Sequence, residues 1–241
     1  MKLLKRKWRL SLKLSKMEVT LIDSMGSDLS VVNAARVSFD KQSSWASSDK
    51  KTLELKLNDV DCKLIRYLAT HNHWSPFSHA FASFRIKAPI FVARQLVKHT
   101  VGLAWNEVSR RYVSTEPEFY LPDYWRKSAS NVKQGSSDEE FQDQLNATVY
   151  ASDVIAEALG TYNWAIREGM CAEQARMVLP QNTMTEWIWS GSLYAFARVC
   201  NLRLDSHTQR ETQEIAKQIS DCMKDLFPVS WEVLVNDNDN K

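Results

Sequence analysis

The sequence lacks cysteine pairs, glycine-rich motifs and long apolar runs, and each absence excludes a class of protein. Its four cysteines stand singly with no CxxC pair, which argues against a cysteine-based zinc site or a disulfide framework. Its six glycines form no dinucleotide-binding fingerprint. No stretch approaches the roughly 20 apolar residues that cross a bilayer. We therefore expect a cytoplasmic protein, without a metal and away from the membrane, whose cysteines are reduced and mostly buried.

Charge is distributed unevenly along the 241 residues. Residues 1–16 contain seven basic side chains and no acidic one, whereas residues 17–241 hold 24 basic and 29 acidic side chains, a net charge of −5. A mildly acidic body is not typical of a nucleic-acid-binding protein. We predict a poorly ordered basic extension over 1–16 and one domain over 17–241. A mitochondrial presequence is an alternative interpretation of the extension.

The hydrophobic pattern favours helices over strands. Strands are expected at 17–22, around Phe81–Ile86 and at 184–189. Helices are expected at 59–71, at 89–99 with Pro89 at its first position, at 171–178 and at 191–201. A capping box at Ser137–Glu140 predicts the start of a long helix that ends near Gly169, and Ser206 with Gln209 predicts the cap of the last helix. Scattered strands among helices predict an α+β fold, with an antiparallel sheet packed against several long helices.

The first polar concentration runs from residue 94 to residue 112. On a helix, four side chains of this segment would share one broad face: Arg94, Gln95, Lys98 and His99. Cations, an amide and an imidazole together suit an anionic, hydrogen-bonding ligand such as a nucleotide. Ser109, Arg110 and Arg111 follow, and arginine binds phosphate through two parallel hydrogen bonds. An ordinary solvated helix face is an equally weighted alternative.

Two further segments each contain one arginine of interest. Arg176 lies among Met177, Val178 and Leu179, and an arginine in apolar surroundings tends to be paired or to hold a ligand. Arg203 lies in the segment NLRLDSH, where by itself it would more often be a surface charge. A ligand-binding role for these two arginines is therefore supported only when the segments are considered together.

Together the segments resemble the flavin-dependent thymidylate synthase family over about four-fifths of the chain, from Asn33 to the last helix. The resemblance is carried by NAARVS and, more strongly, by SPFSHAFASFRIKAPIFVARQLVKH, NEVSRRYV, EQARMVLP and NLRLDSHTQRE. Two features depart from the family pattern. The family signature is Arg-His-Arg followed, after seven residues, by Ser. This chain has Lys98-His99-Thr100 followed, after eight residues, by Ser109. In addition, Ser78 stands where the family usually has Glu. We expect the flavin contacts at these positions to be weaker or rerouted.

The resemblance implies a homotetramer with active sites between subunits, which converts dUMP to dTMP. FAD would carry the hydride, NADPH would be the reductant and 5,10-methylenetetrahydrofolate the one-carbon donor. No protein nucleophile is implied; Arg203 would be catalytic, polarising the uracil ring. The implied dUMP-binding residues are Gln95, Lys98, Glu107, Ser109, Arg110, Arg111, Arg176 (from a neighbouring subunit) and Arg203. The implied FAD-binding residues are Ser75, Lys98, His99, Thr100, Glu107, Ser192, Leu193, Tyr194, Arg198 and His207, with His73 on the folate or flavin side.

A histidine cluster supports a rival interpretation. His71, His73 and His79 could hold a metal in a hydrolase or nuclease, because imidazoles two residues apart on an extended segment can share an ion. The segment lacks flanking cysteine pairs and an acidic ligand at a matching distance. Metal analysis of the purified protein would discriminate the two interpretations.

Overall fold

A computed structural model describes residues 12–46, 55–129 and 136–235 of the chain. The chain forms two compact units that each combine distant segments. Among the described residues, the first unit comprises 12–17, 87–94, 107–129 and 136–186, and the second comprises 18–46, 55–86, 95–106 and 187–235. Residues 1–11, most of the predicted basic extension, lie outside the described residues, so the extension as a whole stays a prediction.

The secondary structure is a mixture of helices and antiparallel strands, as predicted. The strands are β1 (Glu18–Met25), β2 (Phe81–Pro89), β3 (Leu103–Glu107), β4 (Arg126–Ser128), β5 (Ser136–Glu140) and β6 (Met184–Ser192). The helices are α1 (Asp28–Arg36), α2 (Asp59–Thr70), α3 (Ile90–Leu96), α4 (Gln144–Arg167), α5 (Ala172–Ala175), α6 (Leu193–Arg203), α7 (Arg210–Leu226) and α8 (Pro228–Leu234). Four strands form one sheet in the order β1-β2-β6-β3, and β4 pairs antiparallel with β5. No helix in the described ranges is long and apolar enough to cross a bilayer.

The core of the second unit forms where α6 and α7 pack together. Helix α7 buries Ile215, Ile219 and Met223, which recur every four residues along one face. Phe196 of α6 meets the rings of Phe84 and Trp189 edge to face, with centroids 5.1 and 5.4 Å apart. This apolar packing fixes the C-terminal end of α6, where Arg203 is located.

The NAARVS motif has a structural role in the second unit. Arg36 donates from Nε (3.1 Å) and a terminal nitrogen (2.5 Å) to Oδ1 of Asp61, a carboxylate with no exposed surface. Asn33 exchanges two hydrogen bonds with the backbone of Ser43, at 2.7 and 3.2 Å. Asn58 caps α2 and also donates to Asp61 (2.9 Å). The motif therefore ties the loop after α1 to the start of α2.

The first unit has its own core, built on α4. Ile155, Leu159 and Tyr162 of this helix are buried against Phe119. Leu12 is partly buried against the same cluster. Residues 12–16, which the sequence grouped with the extension, thus lie against the first unit.

Three boundary predictions are wrong for identifiable reasons. Residues 136–140 form β5, not a capping box, because they pair with β4; α4 begins after Asp143, whose carboxylate accepts the backbone N–H of Asn146 at 3.2 Å. Helix α3 runs over Ile90–Leu96, so Pro89 ends β2 and does not open the helix, and Lys98 and His99 follow the helix. Ser206 does not cap α7, because α7 begins at Arg210 and Gln209 makes no side-chain cap.

The cysteines also differ from expectation. All four are free thiols, but only Cys200 is buried, while Cys171 is exposed and the other two are half-buried. Burial raises the pKa of the Cys200 thiol. The prediction of mostly buried thiols is therefore wrong.

Candidate active site

In the second unit, Arg203 is held by two residues near the end of α3. Its Nε donates to Nε2 of His99 at 2.9 Å, and a terminal nitrogen donates to the backbone oxygen of Gln95 at 3.3 Å. An arginine side chain only donates hydrogen bonds, so Nε2 of His99 must be the unprotonated, accepting nitrogen. The contact therefore fixes both the direction of the guanidinium and the tautomer of the imidazole.

The electrostatics of this pair favour a neutral imidazole. Burial lowers the pKa of His99 from its ordinary value of 6.5, and the nearby positive charges of Arg203 and Arg198 lower it further. Burial also lowers the pKa of Arg203, but a guanidinium stays charged in proteins. Arg203 is thus a half-buried cation whose hydrogen-bond acceptor carries no charge, which leaves its positive charge available to an anionic ligand.

Gln95 is oriented by two residues that sequence reasoning missed. Its Oε1 accepts from the hydroxyl of Thr212 at 3.2 Å, and its Nε2 donates to Oε1 of Gln209 at 2.5 Å. Thr212 is fully buried on the apolar side of α7. A polar residue within that apolar stripe was the only sequence signal for this contact.

The other implied flavin residues of the second unit differ in exposure. Ser192 caps α6, because its Oγ accepts the backbone N–H of Ala195 at 3.2 Å. Ser192 and Leu193 are both buried, so their side chains offer little surface to a ligand. Tyr194 lies beside Trp74, with ring centroids 6.3 Å apart. The exposed members of the set are Ser75, Lys98, Thr100, Arg198 and His207, together with His73. Their binding roles stay predictions.

The first unit contains a cleft of about 300 Å³. Three of the implied dUMP-binding residues line it: Glu107, Arg110 and Arg176. The hydroxyl of Thr185 donates to Oε1 of Glu107 at 2.7 Å, which orients that carboxylate. The sequence did not single out Lys87, Glu116, Glu118 or Thr185, which also line the cleft.

Ser109 and Arg111 lie together in the same unit as this cleft. The backbone N–H and the Nε of Arg111 both donate to Oγ of Ser109, at 3.3 and 3.4 Å. The guanidinium of Arg111 also lies 4.9 Å from the ring centroid of Tyr112 and 3.9 Å from Glu173. Arg110 donates to the backbone oxygen of Thr115 at 3.0 Å. The two arginines are thus oriented by weak, mostly exposed contacts that a phosphate could replace.

The histidine cluster does not assemble as a metal site. The His71 ring packs on Tyr67 with centroids 4.0 Å apart, and its Nδ1 lies 2.8 Å from the backbone oxygen of Tyr67. The His71 and His73 centroids are 6.3 Å apart in an edge-to-face arrangement. Across the described ranges, no group of three or more His, Cys, Asp or Glu is placed to hold a metal.

Comparison with known proteins identifies the family. A sequence model of the family described as thymidylate synthase complementing protein matches residues 20–229. The chain belongs to the flavin-dependent thymidylate synthase family. It is 35% identical over 218 residues to the flavin-dependent thymidylate synthase of Thermosipho africanus, covering 89% of each chain. It is 37% identical over 213 residues to that of Thermus thermophilus, covering 88% of this chain and 73% of the relative.

A solved structure supports the same family and fold. The UMP/dUMP methylase PolB from Streptomyces cacaoi, bound with 5-Br dUMP, superposes with a TM-score of 0.78 at 31% identity. The match covers 92% of this chain and 96% of PolB. The predicted family resemblance and the α+β fold class are therefore confirmed.

Proposed function

We propose that this chain catalyses the reductive methylation of dUMP to dTMP, with FAD as hydride carrier, NADPH as reductant and 5,10-methylenetetrahydrofolate as one-carbon donor. Arg203 provides the main support, because it is a half-buried cation aimed by His99 and Gln95 within a member of the flavin-dependent thymidylate synthase family. The structural relative bound to a dUMP analogue supports the choice of substrate.

The donor set suits a flavin beside a pyrimidine. A neutral His99, the amide of Gln95 and the charged Arg203 offer hydrogen bonds to ring nitrogens and carbonyl oxygens, and the exposed Arg198 and Lys98 offer charge to a pyrophosphate. Bound FAD would supply hydride transfer, chemistry that amino-acid side chains do not provide. The protein residues would therefore serve to bind, orient and stabilise charge.

Arg203 would stabilise negative charge on the uracil ring. Its guanidinium has five N–H groups. In the described contacts one of them donates to His99 and one to Gln95, so three can donate to a ligand. Charge stabilisation by a preorganised donor is among the largest contributions to catalysis. Ser109 would act as a phosphate ligand and not as a nucleophile, because its Oγ accepts two hydrogen bonds from Arg111 and no base contacts it among the described residues.

The proposed assembly is a homotetramer with active sites between subunits. Large apolar side chains are exposed along the first half of α4, including Leu145 (75% exposed), Tyr150 (67%) and Val154 (59%). The edge strand β1 also exposes Leu21 and Ile22. Contiguous exposed apolar surface is typical of a subunit interface. Light scattering of the purified protein would give the mass of the assembly directly.

The test of function is product formation under anaerobic conditions. The purified protein is incubated with dUMP, 5,10-methylenetetrahydrofolate, FAD and NADPH, and the nucleotides are identified by mass spectrometry. UMP is supplied in a parallel reaction, because the structural relative is described as a UMP/dUMP methylase. Formation of dTMP supports the proposal. Methylation of UMP alone would change the substrate, and a colourless, metal-containing protein without either product would favour the nuclease interpretation.

A further inference from the structure

Glu118 in the cleft of the first unit carries two ammonium partners. Lys87 contacts its Oε2, and Lys13, from the N-terminal segment, contacts its Oε1. Glu118 and Lys87 are mostly buried, with 19% and 28% of their side chains exposed. Hydrogen bonds from Lys13, then from Lys87, lower the pKa of Glu118 to about 2. The Glu118 side chain is therefore a carboxylate near neutral pH, and it is shared by the two lysines.

The backbone of Phe119 holds the segment around Lys13 in place. The N–H of Phe119 donates to the oxygen of Lys13 at 2.9 Å, and the N–H of Ser15 donates to the oxygen of Phe119 at 3.0 Å. Leu14 and Thr183 form bridges with Phe119 from opposite sides. The segment 12–16 thus extends the wall that contains Glu118.

The charge of the cleft depends on this segment. Its lining contains three cations and four carboxylates, which gives a net charge of −1 without Lys13 and zero with it. The lining cations are Lys87, Arg110 and Arg176, and the carboxylates are Glu107, Glu116, Glu118 and Glu186. The lining alone therefore has no excess of positive charge for an anionic nucleotide. Lys13 offsets Glu118 and so leaves the charge of Lys87 less neutralised.

We propose that Lys13 is a positioning residue for nucleotide binding, which shares Glu118 with Lys87 and so keeps the Lys87 ammonium available to a phosphate in the cleft. The inference rests on the proposed function, and it adds that dUMP reaches the cleft lined by Glu107, Arg110 and the Arg176 of the same chain, not of a neighbouring subunit. It makes the N-terminal segment from Leu12 onward a part of the binding site.

The test compares dUMP affinity, by calorimetry on the full chain, in Lys13→Met, Lys13→Arg and Lys16→Met. Removal of one positive charge beside the cleft is expected to raise the Kd by roughly three- to tenfold at low ionic strength, and by less at high salt. Lys13→Arg keeps the positive charge and should bind dUMP with the affinity of the unaltered protein. Lys16 is an exposed lysine of the same segment, so Lys16→Met is a matched control that should bind like the unaltered protein. Thermal melting and flavin content should not change in any variant.

A second probe separates this inference from the proposed function. Unaltered affinity in Lys13→Met, or a loss that does not depend on salt, would overturn the role of Lys13 while leaving dUMP methylation intact. If the unaltered protein binds inorganic phosphate in a Lys13-dependent way but does not bind dUMP, the role of Lys13 stands and the proposed substrate is wrong. Binding of neither probe would overturn both.

Discussion

Replacement of Arg203 by alanine should remove catalysis while leaving the fold and the flavin site in place. In the structure, two of the five N–H groups of the guanidinium donate hydrogen bonds, one to His99 and one to Gln95. The remaining N–H groups can make one or two charged hydrogen bonds to the uracil ring, each contributing about 1.5–3 kcal/mol. Loss of one preorganised donor of this kind lowers kcat by roughly 10²- to 10³-fold, about 3–4 kcal/mol.

The cost in stability should be smaller. Arg203→Ala removes two hydrogen bonds at a half-buried position, which predicts a decrease in the free energy of unfolding of about 1–3 kcal/mol. The assay is steady-state dTMP formation with flavin content and thermal melting measured on the same samples. Arg66→Ala is the matched control, because Arg66 is exposed and its ion pair with Glu232 is long, at 3.9 Å. Turnover in Arg203→Ala equal to that of the control would refute the reasoning.

Three further predictions concern pH, a buried ion pair and a close backbone approach. The pKa of His99 is lowered in the folded protein, so its imidazole stays neutral and keeps the hydrogen bond with Arg203 above pH 6.5. Activity should therefore fall only as the pH drops through that lowered pKa. His99→Gln should remove this acidic fall from the pH–rate profile. Asp61→Ala should lower the free energy of unfolding by about 3 kcal/mol in denaturant titration, because the half-buried Arg36 loses its counter-charge and the buried cap of α2 loses its carboxylate; a change under about 1 kcal/mol would contradict this. Gly191→Ala should cost about 1–3 kcal/mol in the same titration, because the new Cβ would lie 2.6 Å from the backbone oxygen of Gly102; an unchanged midpoint would contradict the close approach.

Elements with a strong apolar period were predictable from the sequence. In the last long helix, α7, the sequence predicts a core face of Ile215, Ile219, Cys222, Met223 and Leu226; the first two and Met223 are buried, whereas Cys222 and Leu226 are half-buried. In contrast, Ser137 and Glu140 have capping-box spacing but form a strand. Oγ of Ser137 accepts the backbone N–H of Glu139 at 3.0 Å within β5, and pairing with β4 outweighs the local helix signal. A local pattern therefore predicted structure only where no partner strand competed for the backbone.

The candidate site shows the same limit. Motif resemblance indicated Gln95 and Arg203, but the residues that orient Gln95 are 114 and 117 positions away in the sequence, at Gln209 and Thr212. Glu118 was equally inconspicuous, because its importance comes from the lysines that the fold brings to it. Residue types that bind a ligand can be inferred from sequence, whereas the residues that hold them in place depend on tertiary contacts.

The most direct test of the central claim is the visible absorption spectrum of the purified protein, followed under anaerobic conditions by addition of NADPH. The account predicts a yellow protein with a flavin spectrum that bleaches on reduction and recovers when dUMP and 5,10-methylenetetrahydrofolate are added, with dTMP appearing in proportion. A protein that stays colourless after incubation with excess FAD, or a bound flavin whose recovery yields no methylated nucleotide, would contradict it.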